Sequence, residues 1–196
     1  TGLPTMHLIF RLDRETSGVV VLAKDAPTAS RLQRAMQERR VAKSYLAILT
    51  GELREAVTVD QPLGDDVTTP VFIKTCVRPD GKPAVTRFEP VGQGGGYTLV
   101  RVVPETGRKH QIRAHAQWLG HSVVGDKIYG PDPRLYLEFI DYGWTSALAA
   151  RLLLPHQALH CAEIDLTAAG APKVFTAPLP DDLRTFGRER MGLDLA

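Results

Sequence analysis

The chain has 196 residues, 24 Lys and Arg against 22 Asp and Glu, a formal net charge of +2 and 43% hydrophobic residues. That suits one ordinary domain with a sizeable core. The charge announces no polyanion partner, and the lack of any apolar run near about 18 residues excludes a membrane-spanning helix. Cys76 and Cys161 stand alone with no C-x-x-C spacing, and the first residues lack the basic-then-apolar pattern of a signal peptide. Both point to a reducing, cytoplasmic setting, and the cysteines argue against a zinc site.

In chain order, the first informative stretch is Arg11-Leu12-Asp13-Arg14-Glu15-Thr16-Ser17-Gly18, followed by Val19-Val20-Val21-Leu22-Ala23-Lys24. The apolar run predicts a buried strand, and the polar octapeptide a loop feeding it. An acid between Arg11 and Arg14 is expected to stay ionised. Such a loop, braced by a strand, suits a reactive group, although an ion-paired surface Asp in a Thr/Ser turn reads the same way.

Asp25 and Pro27 open a predicted helix with Leu32, Ala35 and Met36 on one face, ending near Arg40. A strand follows over residues 43–50, with Tyr45, Ala47 and Leu49 on one side. A Tyr in such a strand is ordinarily a core or edge aromatic. Arg31, Arg34, Arg39, Arg40 and Lys43 form one basic cluster, and Arg101, Arg108, Lys109 and Arg113 a second. Either could track phosphates or simply be a solvated helix face.

Residues 51–70 carry Gly51, Pro62, Gly64 and Pro70 and are expected to form a connecting loop. A short strand is expected over 71–75 and a turn at 79–82. Residues 84–91 and 97–103 predict a hairpin with a flexible glycine tip. Thr106 is placed as the cap of a helix running to about Leu119, stopped by Gly120. Ile112, Ala116 and Leu119 form its apolar stripe, and Arg113 reaches past that stripe's edge towards a carboxylate. His110, His115 and His121 lack the i, i+4 spacing of a metal site, so structural hydrogen bonds are expected of the first two.

Gly125-Asp126-Lys127-Ile128-Tyr129-Gly130 reads as an architectural turn. Residues 131–154 offer two helical patches broken at 141–144, and could be a lid or an insertion. Strands are expected over 159–166 and 174–177, then a short helix that Asp181 caps.

Five motifs in order carry a resemblance to the RluA-type pseudouridine synthases. They are R-L-D-x-x-T-S-G at 11–18, K-x-Y-x-A at 43–47, G-R-x-H-Q-I-R-x-H at 107–115, G-D-x-x-Y-G at 125–130 and L-H at 159–160. Phe10 stands where that family usually has His, and Cys161 where it usually has Ala. The resemblance implies an α+β fold, with a mixed, mostly antiparallel sheet, flanking helices and a cleft across the sheet. Strands outnumbering helices agree with it. It implies isomerisation of uridine to pseudouridine in ribosomal or transfer RNA, with no cofactor and no metal. Asp13 would be the essential catalytic residue. Tyr45 would lie over the uracil and help remove its C5 proton, and Arg113 would pair with Asp13. Leu159 would wall the base, with Arg11, Arg14, Arg108 and His110 as further substrate contacts. The target nucleotide is expected to leave its stack.

The family also implies a strand and a small basic RNA-binding domain upstream, so residues 1–196 are expected to be one catalytic domain, acting as a monomer, from a longer protein. Two other classes remain in view. A non-catalytic RNA-binding relative would lose the acid, Tyr or Arg, all of which are present. A glycoside hydrolase using Asp13 and Glu15 would need two carboxylates flanking one bond.

Overall fold

The computed structural model describes residues 5–171 and 173–195. In chain order the strands and helices are β1 (His7–Leu8), β2 (Ser17–Gly18), β3 (Leu22–Ala23), α1 (Ala26–Gln37), β4 (Ala42–Thr50), β5 (Val57–Asp60), β6 (Leu63–Asp65), β7 (Thr75–Val77), β8 (Val85–Gly94), β9 (Tyr97–Pro104), α2 (Gln111–Trp118), α3 (Arg134–Tyr142), α4 (Ser146–Leu152), β10 (Leu159–Asp165), β11 (Val174–Thr176) and α5 (Asp181–Phe186).

The main sheet runs β11-β10-β4-β9-β8-β5, and β2 adds to β10. These pairings are antiparallel except β2 with β10, where His160 lies opposite Ser17 and Cys161 opposite Gly18. Central β4 pairs Tyr45 with Val102 of β9 and with Cys161 of β10. Ile48, Val100, Val102, Phe88 and Ile164 are at most 1% exposed and form the middle of the core. Each such side chain contributes roughly 1.5–3 kcal/mol by leaving water. α1 begins as its sequence dictates: Asp25 accepts the Thr28 N–H at 2.8 Å, and Ala29, Leu32 and Ala35 face inward.

Several expectations need correction. Residues 19–24 are not one buried strand. Only Leu22–Ala23 is extended and paired, with β1, and Val20 and Leu22 are 46% and 48% exposed. The run divides because Ser17–Gly18 is bound to β10 and its continuation turns away to meet β1. Residues 51–70 are not a bare loop: β5 joins the main sheet and β6 pairs with β7. The strand expected over 71–75 begins only at Thr75, because Lys74 N–H turns back to the Val71 carbonyl. That turn leaves Phe72 89% exposed.

The hairpin is longer than expected, since β8 absorbs an irregularity between Pro90 and Gly92 and runs to Gly94. Its tip is not a free glycine loop. Gly94 and Gly95 lie so close under the Met191 and Arg190 carbonyls that side chains there would overlap them. At the C-terminus, Asp181 is the first residue of α5 and Pro180 holds the cap position. Residues 131–154 do hold two helices, α3 and α4, but α3 includes Asp141 and Tyr142 and the break falls at 143–145. Their Leu135, Leu148 and Leu152 make a small cluster of their own.

Candidate active site

A cavity of about 260 Å³ opens over the sheet where β4, β9 and β10 meet the start of α2. Asp13, Tyr45, Arg113, Leu159, Arg11, Arg108 and His110 all line it. Five separate segments of the sequence thus converge on one hollow, of the order needed for a small ligand.

Asp13 is mounted on a tight turn closed by the Thr16 N–H donating to its carbonyl at 3.0 Å. The rest of the octapeptide is a set of tethers. Thr16 Oγ1 accepts from Gln157 Nε2 at 2.7 Å, and Ser17 Oγ lies 2.9 Å from His160 Nδ1. His160 Nε2 faces the Ala177 carbonyl at 3.1 Å, so that nitrogen carries the proton and Nδ1 accepts from Ser17. Gly18, at φ 116°, lies where any side chain would collide with the Cys161 backbone. Its glycine is what lets β2 dock on β10.

Asp13 does not pair with its neighbours in sequence. Arg11 and Arg14 are exposed; Arg11 lines the cavity and Arg14, expected as a substrate contact, lies outside its lining. The partner of Asp13 is Arg113, whose Nη1 donates to Asp13 Oδ2 at 2.9 Å. Arg113 is held from behind by Asp126, with Nε to Oδ2 at 2.6 Å and Nη2 to Oδ1 at 2.9 Å. Its guanidinium also lies 4.9 Å over the Tyr129 ring. Burial works against the Arg113 charge, but Asp126 and Asp13 outweigh it and raise its pKa. Burial likewise opposes the Asp126 charge. Arg113 and the N–H groups of Tyr129 and Ile128 overcome it and hold that carboxyl below its ordinary value. Asp126, read from sequence as architectural, is therefore the second carboxylate of the site. Its sequence signal was its place in G-D-x-x-Y-G, which carries no mark of the partner.

Thr106 does not cap α2. Its hydroxyl accepts the Val85 N–H and donates to Gln111 Oε1 at 2.7 Å, within a buried network that anchors Gln111. The helix starts at Gln111 instead, after His110 in the left-handed conformation at φ 55°. His110 Nδ1 lies 3.0 Å from the Tyr129 hydroxyl, which already accepts the Thr75 N–H at 2.8 Å. With that hydroxyl already accepting, we assign its proton to a bond with Nδ1 and the His110 proton to Nε2. Burial and the nearby Arg113 push the His110 pKa down to about 4, so the ring is neutral. His115 is structural: its nitrogens meet Thr86 Oγ1 at 2.8 Å and the Gln61 carbonyl at 3.0 Å.

Tyr45 is 8% exposed and forms one wall, with the Cys161 thiol beside it. Burial first, then Cys161 and Asp13, push its phenol far above the ordinary value. It is a neutral phenol at working pH and can act as a base only while passing its own proton on. Leu159, 3% exposed, completes the apolar side. Arg108 lines the mouth, its Nε donating to the Pro83 carbonyl at 3.0 Å.

Glu15 points elsewhere, into an ion pair with Lys127, and it does not line the cavity. That geometry removes it as the second acid of a glycosidase. No residue of the 131–154 segment lines the cavity. Its Phe139 and Trp144 instead cover Lys127, with ring centroids 4.4 and 5.5 Å from Nζ.

The carboxylate of Asp13, braced by Arg113, thus faces an aromatic and an aliphatic wall over a mostly antiparallel sheet. The chain belongs to the RNA pseudouridylate synthase family, whose model matches residues 2–118. It is 36% identical over 184 residues to a Vibrio vulnificus protein named ribosomal large subunit pseudouridine synthase D, covering 92% of this chain and 54% of that one. It is 37% identical over 184 residues to a Chloroflexus aurantiacus protein named as an RNA pseudouridine synthase, covering 93% of this chain and 52% of that one. The chain thus spans about half the length of these curated relatives. The fold matches the solved human RNA pseudouridylate synthase domain containing 1 with a TM-score of 0.75 and 27% identity, over 93% of this chain and 73% of that one. The expected RluA-type resemblance and the α+β sheet both hold.

Proposed function

We propose that residues 1–196 form a catalytic domain that converts specific uridines to pseudouridine in structured RNA. Large-subunit ribosomal RNA is the first substrate to consider, given the names of the relatives, and transfer RNA the second. The observation that carries the reading is Asp13, fixed by Arg113 at 2.9 Å and facing the hollow between Tyr45 and Leu159.

The uridine flips into the cavity. Its glycosidic bond to N1 breaks, the uracil turns, and C5 joins the anomeric carbon while the C5 proton leaves and N1 takes one up. Asp13 starts the reaction, by attack on the base or the sugar or by removing a ribose proton. Tyr45 stacks against the uracil and relays the C5 proton, as its neutral phenol requires. Leu159 packs on the base edge. Arg113 positions Asp13. Arg11 and Arg108 at the rim, and the Nε2–H of His110, are donors for the nucleotide. The balance is an isomerisation, so no cofactor or metal enters it. Among the described residues no helix is long and apolar enough to cross a membrane. We read the domain as working on RNA in the cytoplasm as a monomer.

The test uses ribosomal and transfer RNA transcripts tritiated at uracil C5. Wild type should release tritium and Asp13→Asn should not. Equal release from both would overturn the role of Asp13. No release by wild type from either RNA would favour an RNA-binding protein without chemistry.

A further inference from the structure

A second cleft of about 640 Å³ adjoins the first, and Met36, Lys43, Pro104, Thr106, Gly107 and Arg108 belong to both. Lys43 is the half-buried cation in that shared wall. Other cations nearby are engaged: Lys109 with Asp65 at 2.7 Å, Arg40 with Glu38 at 2.7 Å, and Arg101 with Ser44 Oγ at 3.2 Å. Lys43 forms no ion pair with a carboxylate among the described residues, and burial lowers its pKa. A half-buried ammonium without a counter-charge is costly unless a ligand supplies one. Room for a ligand exists, because the nearest atom to a side chain built at Gly107 would be Lys43 Nζ itself, 3.9 Å away.

The second cleft continues the same chemistry. Arg39, turned into the left-handed conformation at φ 56° just past α1, lines it with Arg108, and Val41, Val103 and Pro104 supply an apolar floor. Glu105 is the one carboxylate in its lining and is exposed, which leaves the Lys43 wall as the anion-accepting side.

We propose that this second cleft holds the nucleotide next to the flipped uridine, and that Lys43 binds the phosphate joining the two. The inference rests on the reading of the first cavity as the uridine site. If one nucleotide occupies that cavity, the adjoining cleft offers the strand a path across the shared wall. Lys43 is the inner cation there, and a lysine binds phosphate as a point charge without needing planar geometry.

The test follows binding of a fluorescent RNA stem-loop that wild type has been shown to modify by tritium release. Affinity is measured from about 50 to 200 mM salt for wild type, Lys43→Gln and Lys43→Arg. Lys43→Gln should bind about tenfold more weakly. Its slope of log affinity against log salt should be shallower by about 0.7–0.9, the share of one phosphate. Lys43→Arg should keep the wild-type slope. A methylphosphonate at one of the two phosphates flanking the target uridine should weaken wild type equally and leave Lys43→Gln unchanged. An unaltered slope in Lys43→Gln, or a loss additive with both methylphosphonates, would overturn the subsite while the tritium result leaves the uridine site standing.

Discussion

Lys127 Nζ lies 2.8 Å from both carboxylate oxygens of Glu15, two residues beyond Asp13, and its side chain is 2% exposed. It also donates to the Pro155 carbonyl. The pair ties the catalytic loop to the G-D-x-x-Y-G turn. Lys127→Met should strand the Glu15 carboxylate and cost about 3–5 kcal/mol, whereas Glu15→Gln with Lys127→Met should recover part of that loss. Urea denaturation of the two variants checks this. Turnover should fall more than RNA affinity in Lys127→Met, and an unchanged turnover would show that the tether does not position Asp13.

Asp126 supplies the next prediction. It takes two of the Arg113 donors and the N–H groups of Ile128 and Tyr129. Its folded pKa lies below the ordinary 3.8. Its contribution is therefore present above about pH 4 and is lost as pH falls through the folded value. Asp126→Asn should be less stable than wild type at neutral pH by about 3–5 kcal/mol. It should also lose stability less steeply on acidification below about pH 4. Denaturation midpoints measured across that range would show parallel curves if Asp126 were not the group responsible.

His110 should stay neutral through physiological pH, with its proton on Nε2 and a titration near 4. The unfolded chain protonates near the ordinary 6.5. His110 therefore costs stability progressively as pH falls between those two values. Ring nitrogen shifts followed by NMR give both tautomer and midpoint. A midpoint near 6.5 would contradict the burial and the Arg113 repulsion described above.

Much of the site was legible because motif residues carry their chemistry with them. Asp13, Tyr45, Arg113 and Leu159 were placed together, and they meet in one cavity. What was not legible were partners fixed only by the fold. Nothing in the local sequence links Glu15 to Lys127 or Ser17 to His160. Reading Asp13 through its sequence neighbours Arg11 and Arg14 also misled, since side chains one or two residues apart in a loop need not face one another. The strand expected over 19–24 failed for a related reason. An apolar run reports burial, but not that Gly18 docks on β10 while Leu22 pairs with His7–Leu8 across a different sheet.

Gly18→Ala should be among the most damaging single-methyl changes in this chain. The residue sits at φ 116° against the Cys161 backbone. A side chain would combine backbone strain with loss of the parallel pairing, for more than about 2 kcal/mol. Thermal denaturation measures the first effect. Tritium release measures the second, because the loop carrying Asp13 would be displaced.

The tethers of that loop also set an order of assembly. Asp13, Glu15, Thr16 and Ser17 find partners 100, 112, 141 and 143 residues further along the chain. Contacts of such separation form late, after the entropy of closing long loops has been met by other structure. During synthesis the residues of this loop emerge well before the residues that support them. A nascent chain has no seat for Asp13 until β10 has left the ribosome, so the cavity around it is completed only once that strand is paired.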